Sequence, residues 1–171
     1  MNIKMTDLFL AELEREAGGT RSALERVPEG RYDWKPHDRS MLLGHLAALV
    51  ATMPSWIATT IKHDQWDLKP ADGPRTQPQP RTRSELLQAF DQSLASGREA
   101  LASTSDEHLL KPWRLLVAGR VVAEQPRHIM LRDSVFNHLA HHRGQLTVYL
   151  RLNEASVPAI YGPSADEGKF E

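Results

Sequence analysis

No cysteine occurs anywhere in this 171-residue chain. Disulfides, thiolate metal ligands and a cysteine nucleophile are all excluded by that absence. Charge of one sign is lacking too: 21 basic residues face 22 acidic ones, a net −1. With no basic stripe and no interleaving of aromatic and basic residues, nucleic acid is not an expected partner. No segment approaches about 18 uncharged apolar residues, so no membrane span is expected. The opening MNIKMTDLFLAELERE places acids inside its apolar run and has no signal-peptide core. These features are those expected of a cytoplasmic protein. The chain has no Gly-rich phosphate loop, no paired-carboxylate signature and no serine-triad motif. Ser164, in GPSADE, lacks a nucleophile-elbow setting.

What remains is helical patterning. The length suits one domain, residues 1–171, with enough chain to bury a core. Thr6 can cap a first helix reaching about Val27, with Leu10, Leu13, Ala17, Thr20, Leu24 and Val27 along its seam. Ser40 can cap a second reaching about Lys62, bent at Pro54. Residues 63–83 carry four prolines and little periodicity, which predicts a long surface crossover. Thr82 with Glu85 reads as a capping box that opens a third helix near Ser84. Its stripe is Leu87, Phe90, Leu94, Gly97 and Leu101, with Asp91 and Glu99 on the solvated side. Two short apolar runs around Ala118-Gly119-Arg120 predict a small hairpin. Pro126 suits the first turn of a last helix that extends to about Asn153.

The last helix carries the densest chemistry. His138 and His142 are four residues apart, so they stack on one face of an α-helix. Their stripe reads Leu131, Val135, His138, His142, Leu146 and Tyr149, which points both imidazoles into the core. His141 lies about 100° round from His142. Two buried imidazoles side by side need hydrogen-bond partners or a metal, and this spacing is a common half of a zinc site. The second helix offers a third ligand. Its stripe Leu42, His45, Leu49, Met53 and Trp56 is likewise interrupted by one histidine. Trp56 lines the pocket or simply fills the core. His37 and His63 fall in connections.

LLGHLA around His45, NHLAHHRGQL from Asn137 to Leu146, and VPAIYGPSADE from Val157 to Glu167 resemble the DinB/YfiT-like superfamily over nearly the whole chain. The resemblance implies an all-α four-helix bundle holding a divalent metal by His45, His138 and His142. It also implies a tail packed near the site and a homodimer. Members include thiol-dependent S-transferases and isomerases, and many have no known reaction. Three imidazoles leave a fourth position open on Zn²⁺, and Ni²⁺ or iron would also accept them. Such a position activates either water or a small thiol. Gln145, one turn after His142, is placed to orient that ligand, with Asn137 and Arg143 as weaker candidates. The expected function is metal-dependent transfer of a low-molecular-weight thiol to an electrophile. The alternatives are a metal-dependent hydrolase and a non-catalytic metal- or ligand-binding module.

Overall fold

A computed structural model of the chain describes residues 3–73 and 79–168. In chain order the elements are α1 (Met5–Leu24), α2 (Leu43–Thr52), a 3₁₀ turn (Met53–Ser55), α3 (Trp56–Lys62), β1 (Gln65–Asp67), α4 (Arg83–Ser103) and α5 (Asp106–Leu110). Then come β2 (Pro112–Val117), β3 (Arg120–Pro126), α6 (Arg127–Leu131), a π-helical turn (Arg132–Asn137) and α7 (His138–Leu152).

Four long helical segments surround one core: α1, α2 running through the turn into α3, α4, and α6 running through the π turn into α7. Leu13, Leu24, Leu43, Leu46, Leu86, Leu101, Leu146 and Leu150 are almost fully buried between them. Each such leucine stabilises the fold by about 1.5–3 kcal/mol. Pro54 bends the second segment as expected, through Met53–Ser55. The third segment packs against that bend at Gly97, where a Cβ would stand 2.8 Å from the Pro54 carbonyl oxygen. Only glycine fits so close an approach.

Local signals account for several ends. Thr82 and Glu85 form the full capping box of α4. The start of α1 has no side-chain cap from its own residues. Instead the Met5 and Thr6 amides donate to the Asp106 carboxylate, at 2.9 and 3.1 Å. Thr6 thus lies inside the helix rather than capping it. The second helix begins at Leu43, three residues later than Ser40.

A three-stranded sheet corrects the purely all-α expectation. β2 and β3 form the hairpin, with Ala118 and Gly119 both at positive φ, the turn that a two-residue hairpin loop requires. β1 lies in the crossover and pairs in parallel with β2, Gln65 opposite Arg114. Asp67 at the end of β1 accepts from the Ala118 and Gly119 amides, so the crossover is fastened to the hairpin rather than running free. Residues 74–78 of that crossover lie outside the described residues.

Candidate functional site

The π turn decides where the histidines face. In an unbroken α-helix, His138 and His142 would lie within about 20° of Leu131, in the core seam. A π turn takes up one extra residue, which rotates everything after it by about 100°. The seam therefore passes from Leu131 and Val135 to Leu139, Arg143, Leu146 and Leu150, all at most 1% exposed. His142 (8% exposed) and the half-buried His138 stand on the shoulder beside it, towards α2, and His141 is exposed. The expected continuous stripe is corrected accordingly.

α2 shows a matching correction. Leu43, Leu46, Ala47, Val50 and Ala51 make its buried face. Leu42 and His45 are exposed and Leu49 is half-buried. Leu42 and His45 of the expected stripe thus lie on the open side of α2, whereas Met53, in the turn that follows, is fully buried.

His138 and His142 converge. Their Nε2 atoms are 2.8 Å apart, and their ring centroids 4.5 Å. His142 Nδ1 lies 2.8 Å from Gln145 Oε1. An amide oxygen only accepts, so Nδ1 carries the proton and Nε2 of neutral His142 keeps its lone pair. His138 Nε2–H then donates across the 2.8 Å gap. Burial holds His142 below the ordinary histidine value, helped by the charges of His138, His141 and His45, while the Gln145 bond acts in the opposite sense. Trp56 is half-buried, its ring centroid 5.7 Å from that of His138, and the His141 ring is 4.9 Å from that of His142. His45 sits on the helix that packs against α7, and its charge reaches His142. Among the described residues, no three His, Asp, Glu or Cys side chains are gathered into a group arranged to hold a metal ion.

The weaker candidates lie elsewhere. Asn137 is exposed and donates to Asp133 within its own helix, at 3.4 Å. Arg143 is fully buried on the α1 side. It donates to the Glu16 carbonyl and carboxylate, to Thr20 Oγ1 and to the Tyr161 hydroxyl, which in turn donates to Glu16. This buried network was not foreseen; its one sequence signal is an acid, Glu16, midway between the seam positions Leu13 and Thr20. The tail docks beside it, with Ile160 against Gly19, Arg26 paired to Glu167 and Arg151 to Asp166. Its described contacts are thus with α1 and α7, not with the histidines.

A surface cavity of about 320 Å³ lies at the sheet, lined by Asp64, Lys111, Pro112, Arg114, Glu124 and Arg127. Arg127 is the one buried side chain there. Its donors are committed to the Thr60, His63, Lys111 and Pro112 carbonyls and to Asp64, so it ties α3 to the sheet.

A family model described as DinB family matches residues 1–169. An uncharacterized protein of Bacillus subtilis strain 168, YrdA, is 27% identical over 165 residues, covering 94% of this chain and 90% of its own. A crystal structure of a DinB-like protein from Bacillus cereus superposes with a TM-score of 0.70 at 22% identity, over 94% of this chain and 100% of that one. A DinB-like protein from Bacillus subtilis, YjoA, gives 0.66 at 19% identity, over 88% and 95%. A putative DinB family member from Exiguobacterium sibiricum gives 0.61 at 20% identity, over 90% and 95%. The likeness to these structures is one of fold.

Proposed function

The chain belongs to the DinB family, and from that premise we propose that His45, His138 and His142 hold a divalent metal, Zn²⁺ or Ni²⁺, in an enzyme joining a low-molecular-weight thiol to an electrophile. The observation that carries this reading is the 2.8 Å approach of the His138 and His142 Nε2 atoms, with His142 Nδ1 held by Gln145. The donor set fits such an ion. Two nitrogens bound to tetrahedral Zn²⁺ sit roughly 3.3 Å apart, so this pair has to open by about half an ångström, and His138 has to carry its proton on Nδ1 so that both Nε2 lone pairs face the ion. His45, across the α2–α7 contact, would complete the set.

A divalent ion there supplies the Lewis acidity that lets a sulfur or oxygen nucleophile lose its proton near neutral pH. The chain's own residues prepare the place. Gln145 keeps His142 in the tautomer whose Nε2 lone pair is free, and burial keeps that ring neutral. Trp56 walls the His138 side. With no cysteine in the chain, the thiol must diffuse in. The transfer forms a carbon–sulfur bond. The thiol loses its proton, and the leaving group departs with the electrons of the bond that breaks.

Hydrolysis is supported by one feature: His141, an exposed imidazole beside His142, is available for proton transfer. A non-catalytic binding module would be marked by a fourth metal position closed by the protein. One experiment separates the three readings. The purified chain is loaded with Zn²⁺ or Ni²⁺, bound metal is measured, and an alkyl-halide electrophile is offered with and without cysteine or glutathione. A thioether by mass spectrometry supports transfer, and a thiol-independent alcohol supports hydrolysis. Stoichiometric metal without turnover supports the binding module. Failure to bind metal overturns the metal reading.

A further inference from the structure

We propose that the π-helical turn Arg132–Asn137 is the device that aims the histidine pair, and that Arg132 is its positioning residue. The inference deepens the metal reading and takes its purpose from it, but the geometry stands on its own. A π turn satisfies its backbone less well than an α turn, and π turns recur at functional sites. The sequence RDSVFN contains no glycine or proline that would break an α-helix locally. Tertiary contacts must therefore hold the turn open.

The structure supplies them at the turn's first and fifth residues. The Arg132 guanidinium lies over the Phe9 ring at 5.5 Å and the Phe136 ring at 5.7 Å. Those two rings stack on each other, 5.6 Å apart and 11° from parallel. Arg132 Nη1 also donates to Glu12 Oε1 at 2.5 Å. Phe9 and Phe136 are both buried, and Phe9 and Glu12 belong to α1. One arginine thus grips two stacked rings and an acid on the neighbouring helix.

The turn resolves a conflict. Seam residues Leu131 and Val135 must stay in the core, and so must Leu139, Leu146 and Leu150. In a continuous α-helix that seam would be shared by the two imidazoles and sealed among leucines. The extra residue carries the seam past them and leaves His138 beside Trp56 of α3, with His142 next to it. Arg132 touches neither histidine in this arrangement. It acts through the turn.

The test uses three variants of the full chain: Arg132→Ala, Arg132→Lys and a deletion of Ser134 that removes the extra residue. The first readout needs no metal: nuclear Overhauser contacts between the His138 and Trp56 rings, which lie 5.7 Å apart on different helices, report the face that the pair occupies. The second is amide hydrogen exchange over residues 132–138, and the third is Zn²⁺ affinity by competition with a chelator. The Ser134 deletion should keep its helicity by circular dichroism yet lose the His138–Trp56 contact and weaken Zn²⁺ binding by roughly 10- to 100-fold. Arg132→Ala should speed exchange in the turn and weaken Zn²⁺ about tenfold, and Arg132→Lys, which keeps the charge but not the planar stack, should fall between it and the parent. A folded deletion that keeps the His138–Trp56 contact overturns the proposal. If the deletion does not fold, Arg132→Ala decides it, and unchanged exchange with an unchanged His138–Trp56 contact in that variant overturns it. A parent that binds no Zn²⁺ refutes the metal reading alone, because the His138–Trp56 contact still tests the turn.

Discussion

His138 and His142 face each other through their Nε2 atoms at 2.8 Å, while the other nitrogen of His142 is tied to Gln145. Replacing either histidine removes half of this convergence. His142→Ala should lose most bound metal after dialysis, measured by elemental analysis, whereas His63→Ala and His141→Ala should retain it. Gln145→Ala should weaken affinity by roughly 10- to 100-fold while leaving the ligands in place. Metal retained by His142→Ala and lost by His141→Ala would mean that the site is built around His141.

The acid response of the metal-free protein follows from His142. Its imidazole is held below the ordinary value, chiefly by burial. In the unfolded chain it titrates near about 6.5. Between that value and the lowered native one, the unfolded state binds more protons, so stability is lost as pH falls through this window and is fully present above it. His142→Gln should therefore lose less Tm than the parent between about pH 7.5 and about pH 5.5. Equal losses would assign the acid sensitivity to another group.

Gly97→Ala would drive a methyl to 2.8 Å from the Pro54 carbonyl oxygen, with Ile57 and Leu13 close behind. The expected cost is about 1–3 kcal/mol, read from denaturant midpoints. Gly144→Ala meets nothing within 4 Å and is the control; it should be neutral or slightly stabilising.

Arg143→Ala should be costlier, at about 3–5 kcal/mol, because it strands the buried Glu16 carboxylate without its counter-charge. Proteolysis of the tail at low protease concentration should accelerate in the same variant, since Tyr161 loses one of its two partners there. An unchanged midpoint would show that Glu16 is satisfied without the arginine.

Val148 and Leu152 leave α7 56% and 53% exposed. We expect this strip to meet a second copy of the chain. Sedimentation should show a dimer for the parent at micromolar concentration and a monomer for Val148→Asp with Leu152→Asp. A monomeric parent ends that expectation.

The sequence made some features legible because one residue type dictates them. Thr82 with Glu85 marks a helix start, Pro54 a bend, and Ala118-Gly119 a hairpin turn. The i, i+4 histidine pair was legible for the same reason, since any helical turn brings those side chains together. The face they occupy was not. No residue in RDSVFN encodes a π turn, and the contacts that hold it come from α1. The phase of α2 was ambiguous because LLGHLAALVATM offers apolar residues on both sides, so burial could settle on Leu43 and Leu46 as readily as on Leu42 and Leu49. The Arg143–Glu16 pair joins distant helices and leaves only an acid in an apolar seam as its trace.

The parallel pairing of β1 with β2 bears on the order of assembly. Gln65 and Arg114 are about fifty residues apart, and α4 and α5 lie between them. The β2–β3 hairpin, by contrast, closes over only two residues. A three-residue strand contributes too little to repay so large a loop closure before the intervening helices have docked. β1 should therefore join last in refolding, after the hairpin and the helices. The Asp67 clasp on the hairpin turn would then fasten a structure already formed, and substitutions there should speed unfolding while leaving the folding rate almost unchanged.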